Sequence, residues 1–160
     1  MISSELKILG KEIIRWIDTS IRGGTMRSVT WNDELRVGVS LFDNEHHEMI
    51  DLLNDMHSKI SSDASDVEIT EAFKDFVECG VTHFAHEEEL MEEWDYPERD
   101  AHKKEHDDLL EKVHAIYEQY EDGKKAYSLE LVNFLADWMM LHLKSTDRKY
   151  VPFFESKGVK

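Results

Sequence analysis

The sequence predicts an all-α protein: an antiparallel up-down-up-down four-helix bundle, with an N-terminal arm and an additional short N-terminal helix before it. Three observations carry this expectation. Four stretches from Phe42 onward repeat apolar residues at steps of three and four, the period of a helix with one buried face. The connections between them are short, which sets neighbouring helices antiparallel. Histidines and carboxylates lie inside the apolar stripes, at places that such a bundle brings to one end.

Ile2, Leu6, Leu9, Ile13, Ile17 and Ile21 form the first stripe, and Gly23-Gly24 stops it. This short helix packs on its own domain or on a second copy, or couples the domain to a signalling partner. Residues 1–25 are therefore set apart as an amphipathic extension and 26–160 as the bundle domain; a start at Met26 is a third reading. Residues 27–41 hold Trp31, Val37, Val39 and Leu41 without helical period and read as an extended arm over the bundle. The first bundle helix carries Phe42, His46, Met49, Leu53, Met56 and Ile60, up to a polar loop at Ser61-Ser62-Asp63. The second carries Phe73, Phe76, Gly80, His83, Glu87, Leu90 and Trp94 and stops at Asp95-Tyr96-Pro97. The third carries His102, His106, Leu109, Val113, Ile116 and Tyr120 and ends before Gly123. The fourth carries Leu131, Leu135, Trp138 and His142 and runs on to Asp147.

Composition narrows the function. A chain of 160 residues can bury a core without disulfides, and Cys79 has no second cysteine to pair with, which suits a reducing compartment. With 19 basic and 35 acidic residues the net charge is -16, which argues against nucleic acid or an anionic membrane as partner. No apolar run approaches the roughly 20 residues of a membrane span. Charges at Glu5, Lys7, Lys11, Glu12 and Arg15 interrupt any signal-peptide core, so the cytoplasm is expected.

The chemistry concentrates in His46, His83, Glu87, His102, His106, His142 and Asp147. Steps of four or five residues put each pair on about one helical turn. Polar groups aimed into a core need a partner, and a cation serves clustered imidazoles and carboxylates best. Seven donors exceed the roughly four of a zinc site, so two ions are inferred. If both carboxylates and a hydroxide bridge, the pair keeps one open coordination position. Iron suits such a site because it can give electrons to dioxygen, whereas zinc cannot.

The chain resembles the bacterial hemerythrins over roughly residues 30–155. The match rests on Asp43-Asn44-Glu45-His46, His83-Phe84-Ala85-His86-Glu87-Glu88, Tyr96-Pro97 through His102 and Glu105-His106, and Trp138 through His142 to Asp147-Arg148-Lys149-Tyr150. The resemblance implies two non-heme irons, with His102, His106 and His142 on the six-coordinate one and His46 and His83 on the one with the vacancy. Glu87 and Asp147 would bridge both, together with an oxo or hydroxo group, and the implied function is reversible O2 binding. Two departures stand out. Glu45 occupies a place where the family often has Gln, which affects hydrogen bonding behind the ligands. The step from His142 to Asp147 turns roughly 140° about an ideal helix, so a widened turn or fraying is expected there.

The other residues receive plainer readings. His57 is too far along its helix to be a ligand and is expected as a hydrogen-bonded core histidine. His47 is expected to be solvated, and His86 and His114 to be edge groups. Cys79 is expected as a small core residue and Trp138 as a wall of the O2 pocket. Of the acidic run Glu87-Glu88-Glu89 and Glu92-Glu93, only Glu87 falls on the stripe, and the rest reads as a solvated face. An O2 carrier, store or sensor is favoured over an enzyme. The alternative is a di-iron oxidase, ferroxidase or peroxide-handling enzyme, although those sites use paired Glu-x-x-His motifs. A phosphohydrolase built on His106-Asp107 lacks a basic phosphate-binding cluster.

Overall fold

The computed structural model describes residues 28–121 and 128–160. The amphipathic stretch at residues 2–21, the stop before Gly123 and the side chain of Tyr120 lie outside them. After a 3-10 turn at Asp33–Leu35 come α1 (Ser40–Ser61), α2 (Asp66–Glu93), α3 (Arg99–Glu121), α4 (Leu129–Ser145) and α5 (Asp147–Lys157). Helices α1 to α4 form the up-down-up-down bundle, and no strand occurs among the described residues.

Local chemistry sets the boundaries. The arm runs into α1 through Gly38 at φ +86, a left-handed conformation that glycine adopts without strain. Asp43, one turn into the helix, accepts the N–H groups of Val37 (2.7 Å) and Gly38 (3.3 Å) and closes the arm onto it. The helix thus starts at Ser40, and Leu41, read as part of the arm, is a half-exposed helical residue. Helix α2 opens with a reciprocal cap between Ser65 and Glu68, of a kind that contributes about 1 kcal/mol. It closes where the Tyr96 N–H turns back to the Met91 carbonyl at 2.9 Å, with Pro97 just beyond.

The last bundle helix does not run unbroken to Asp147. It ends at Ser145, Thr146 links the two pieces, and Asp147 is the first residue of a separate helix, α5. A straight helix would point Asp147 about 140° away from His142. The break resolves this, and it is the form that the expected widened turn takes. Helix α5 ends at Gly158 (φ +74), where the Val159 N–H reaches back to the Phe154 carbonyl at 3.1 Å.

Among the described residues two apolar clusters result. The larger one fills the bundle and includes Met49, Leu53, Phe73, Phe84, Val113 and Leu135. The smaller one packs Val37 and Val39 of the arm against Phe42, Met91, Tyr96, Tyr150 and Phe154. Phe84 of the first stacks on His106, while Phe42 and Tyr150 of the second pack against His83 and His102. The imidazoles therefore form a polar layer between two apolar ones.

Candidate metal centre

All seven residues singled out in the sequence are buried and lie together at one end of the bundle, with Glu87, His106 and Asp147 fully enclosed. His46 comes from the second turn of α1, and His83 and Glu87 from the last turns of α2. His102 and His106 lie in the first turns of α3, His142 late in α4, and Asp147 opens α5. Antiparallel packing makes these places neighbours.

Donor atoms of Glu87, His102, His106 and His142 fall within 4.8 Å of one another, as do those of His46, His83 and Glu87. Glu87 is common to both groups. Asp147 also spans them, with Oδ2 3.4 Å from His46 Nε2 and Oδ1 3.0 Å from His142 Nε2 and 3.5 Å from His102 Nε2.

Hydrogen bonding behind the rings decides what the layer can hold. His83, His106 and His142 donate from Nδ1 to Glu45 (2.9 Å), Glu88 (3.1 Å) and Glu105 (3.1 Å). A carboxylate only accepts, so in a neutral ring each inward Nε2 carries a lone pair. His106 Nε2 and His142 Nε2 nevertheless stand 3.2 Å apart, and His83 Nε2 faces Glu87 Oε1 at 3.4 Å. Both oxygens of Asp147 and Nδ1 of His46 are buried without a hydrogen-bond partner. Facing lone pairs and bare buried carboxylate oxygens are stable only with positive charge between them. The donors therefore fit metal cations, and the mix of imidazole and carboxylate suits borderline transition metals.

Without metal, protons take up part of that charge. Burial opposes charging His83, but the Glu87 carboxylate and the hydrogen bond to Glu45 outweigh it and raise the imidazole to about 10. His142 is also raised: burial opposes it, and the charge of Asp147 prevails. His46 goes the other way, pushed down to about 4 by burial and then by His83. Burial would raise Glu87, but the charge of His83 and the surrounding imidazole hydrogen bonds hold it well below the usual carboxylate range. Burial, followed by the charges of Asp147 and Glu87, keeps the Tyr150 phenol well above its ordinary value. It therefore remains a donor, 2.6 Å from Glu87 Oε1.

The walls are apolar. Phe84 stacks on His106 with ring centroids 3.8 Å apart, and half-buried Trp138 stacks on His142 at 4.5 Å. Beside them lies a cavity of about 20 Å³, lined by Met49, Phe76, Gly80, Phe84, Trp138 and Met139 among others.

Other sequence expectations fare unevenly. His57 is only half-buried, with Nε2 3.5 Å from Ser61 Oγ, so it is not the core histidine expected. His47 is exposed, although it stacks on Trp31 at 5.5 Å, and His114 is exposed as expected. Cys79 is half-buried against the core, and burial followed by Glu48 and Glu45 pushes its thiol up to about 11. His86 is an edge group, yet its Nδ1 lies 2.5 Å from Glu45. Glu88 is not part of a solvated face, since it holds His106. Glu105 and Tyr150 are further site residues whose roles the stripes did not reveal. Glu45, Glu88 and Glu105 each adjoin a site residue in sequence, which was the available signal.

Fold and site together define a helical-bundle metal-binding protein. The chain belongs to the hemerythrin family, since the family model described as the hemerythrin HHE cation binding domain matches residues 37–154. A bacteriohemerythrin of Stenotrophomonas maltophilia is 32% identical over 125 residues, covering 78% of this chain and 80% of that relative. A bacteriohemerythrin of Methylococcus capsulatus is 27% identical over 128 residues, covering 79% of this chain and 97% of that relative. A wild-type hemerythrin crystal structure superposes with a TM-score of 0.74 at 26% identity, covering 79% of this chain and 97% of that one. No helix among the described residues is long and apolar enough to cross a membrane.

Proposed function

We propose that this chain binds O2 reversibly at a pair of non-heme irons. The observation that carries the reading is the set of inward Nε2 atoms and bare Asp147 oxygens facing one another in a buried layer. His102, His106 and His142 would hold one iron, and His46 and His83 the other. Glu87 and Asp147, which lie within reach of both histidine groups, would bridge them alongside an oxo or hydroxo group. The iron pair, when bound, supplies electrons to O2 and recovers them on release.

The chain's own residues make the rest possible. With two histidines for one ion against three for the other, His46 and His83 would hold the iron that is left able to take the gas. Phe84 and Trp138 exclude water from the imidazoles, and the adjoining cavity is apolar enough to favour a nonpolar diatomic over water. Tyr150 keeps one oxygen of Glu87 oriented. The donors come as His83-x-x-x-Glu87 and His102-x-x-x-His106 rather than as paired Glu-x-x-His motifs, which favours a carrier, store or sensor over an oxidase. Residues 26–160 would form this unit in the cytoplasm, and residues 1–25 would serve self-association or a signalling partner.

Anaerobic loading with Fe(II), followed by cycles of air and O2 removal, tests the reading. Two irons per chain and a visible absorption band that comes and goes with the gas are expected. Steady O2 consumption, or irreversible oxidation on first exposure, would point to the oxidase instead.

A further inference from the structure

The three glutamates behind the imidazoles follow one rule. Glu45 on α1 holds His83 on α2, Glu88 on α2 holds His106 on α3, and Glu105 on α3 holds His142 on α4. Each helix thus lends a carboxylate to the histidine of the next. Each carboxylate also has a second partner: His86 Nδ1 at 2.5 Å for Glu45, Lys103 Nζ at 3.2 Å for Glu88, and the buried Thr146 Oγ1 at 2.8 Å for Glu105. His46 Nδ1, by contrast, has no partner.

We infer that Glu45, Glu88 and Glu105 are positioning residues whose charge, acting through the imidazoles, sets the oxidation-state preference of the metal pair. The inference rests on the iron-binding reading above. A carboxylate accepting from Nδ1–H draws that proton toward itself, fixes the tautomer and makes Nε2 a stronger donor. Stronger donors favour the ferric state over the ferrous. The distribution is uneven, with two backed imidazoles in the His102, His106 and His142 group and one in the His46 and His83 group. The side reserved for O2 is therefore the less electron-rich one, and Glu45 is its sole such lever among the described residues.

The test replaces charge while keeping shape. In Glu45→Gln, Glu88→Gln and Glu105→Gln the amide oxygen still accepts from Nδ1–H, so a merely structural hydrogen bond survives. Two quantities are measured on the full chain: the midpoint potential of the iron-loaded protein, and Co(II) affinity by chelator competition. Each variant is expected to shift the ferric–ferrous equilibrium about tenfold toward ferrous, or about 59 mV per one-electron step. Co(II) binding is expected to weaken about 10-fold or more.

Lys103→Met supplies the opposite sign. It removes the cation beside Glu88 at a largely exposed position, and should shift the equilibrium toward ferric. Potentials unmoved in the Gln variants and in Lys103→Met would overturn the inference. For a variant that fails to load iron, undiminished Co(II) affinity would do the same. Neither readout uses O2, so a protein that loads iron without binding the gas would sink the function proposed above and leave this inference standing.

Discussion

Tyr150 donates its buried hydroxyl to Glu87 Oε1 at 2.6 Å, joining the helix that follows the bundle to the carboxylate shared by both donor groups. Helix α5 is therefore part of the site. It contributes Asp147 at its first residue and Tyr150 one turn later, and Tyr150 and Phe154 seal the layer from below.

Tyr150→Phe removes that donor and leaves a buried carboxylate oxygen short of a partner. Loss of a hydrogen bond to a buried charged group costs about 1–3 kcal/mol. Urea unfolding of the metal-free variant should show a loss of that size. Metal loading should recover part of it, because a cation can satisfy the freed oxygen. An unchanged unfolding midpoint would show that the hydroxyl does not support Glu87.

Asp147→Asn separates binding from folding. Both carboxylate oxygens are buried without a hydrogen bond, so the cost of burying the charge offsets what its attraction to His142 contributes to the metal-free chain. Metal content after loading should fall below two ions per chain, while the metal-free melting temperature holds or rises. Full metal content in the variant would remove Asp147 from the proposed ligands.

The pH profile of the metal-free protein follows from two histidines shifted in opposite directions. His46 lies at about 4 when folded against about 6.5 unfolded, so its contribution is present above pH 6.5 and lost as pH falls toward 4. The depressed Glu87 adds to this acid loss. His83 lies at about 10 when folded, so its contribution is full below pH 6.5 and lost as pH rises toward 10. Metal-free stability should therefore peak near pH 6.5. A bound cation displaces the His83 proton, so the gain in melting temperature on metal loading should grow between pH 6.5 and 9. Thermal unfolding with and without Zn(II) across that range checks it; a constant gain would refute the His83 assignment.

Much of this was legible in the sequence, and the gaps have physical causes. A helical stripe identifies which residues face inward, so His46, His83, Glu87, His102, His106 and His142 could be grouped before any coordinates. It does not report how far a side chain one position off the stripe can reach. Glu88 sits beside Glu87 and reads as solvated, yet its side chain extends to His106 on the neighbouring helix. The five-residue step from His142 to Asp147 signals a disturbed turn there, but not that one helix ends at Ser145 and another starts at Asp147, which brings Asp147 round to His142. His57 failed for the converse reason: it shares a face with His46, but near the end of α1 that face is only partly covered.

The arm is held by a two-point clamp, with the Val29 N–H donating to Asn54 Oδ1 at 3.0 Å and Asn54 Nδ2 donating to the Val29 carbonyl at 2.8 Å. Asn54→Ala removes both bonds, worth about 1–3 kcal/mol together at 0.5–1.5 each. Amide exchange at Val29 should accelerate while exchange in α2 stays unchanged. Equal acceleration throughout would mean that the arm and bundle unfold as one unit.

Gly80 offers a gain rather than a loss. It lies buried within α2, where glycine costs about 0.5–1 kcal/mol relative to alanine because its unfolded chain is freer. A Cβ built there would meet only Met49 Cε, at 3.5 Å, an ordinary van der Waals contact. Gly80→Ala should therefore raise stability by about 0.5–1 kcal/mol in urea unfolding. The same methyl points toward the apolar cavity beside Phe84 and Trp138, whose volume is only about 20 Å³. If O2 reaches the layer through that space, the variant should release O2 more slowly in stopped-flow experiments at unchanged iron content. Faster or unchanged release in a stabilised variant would show that the gas takes another route.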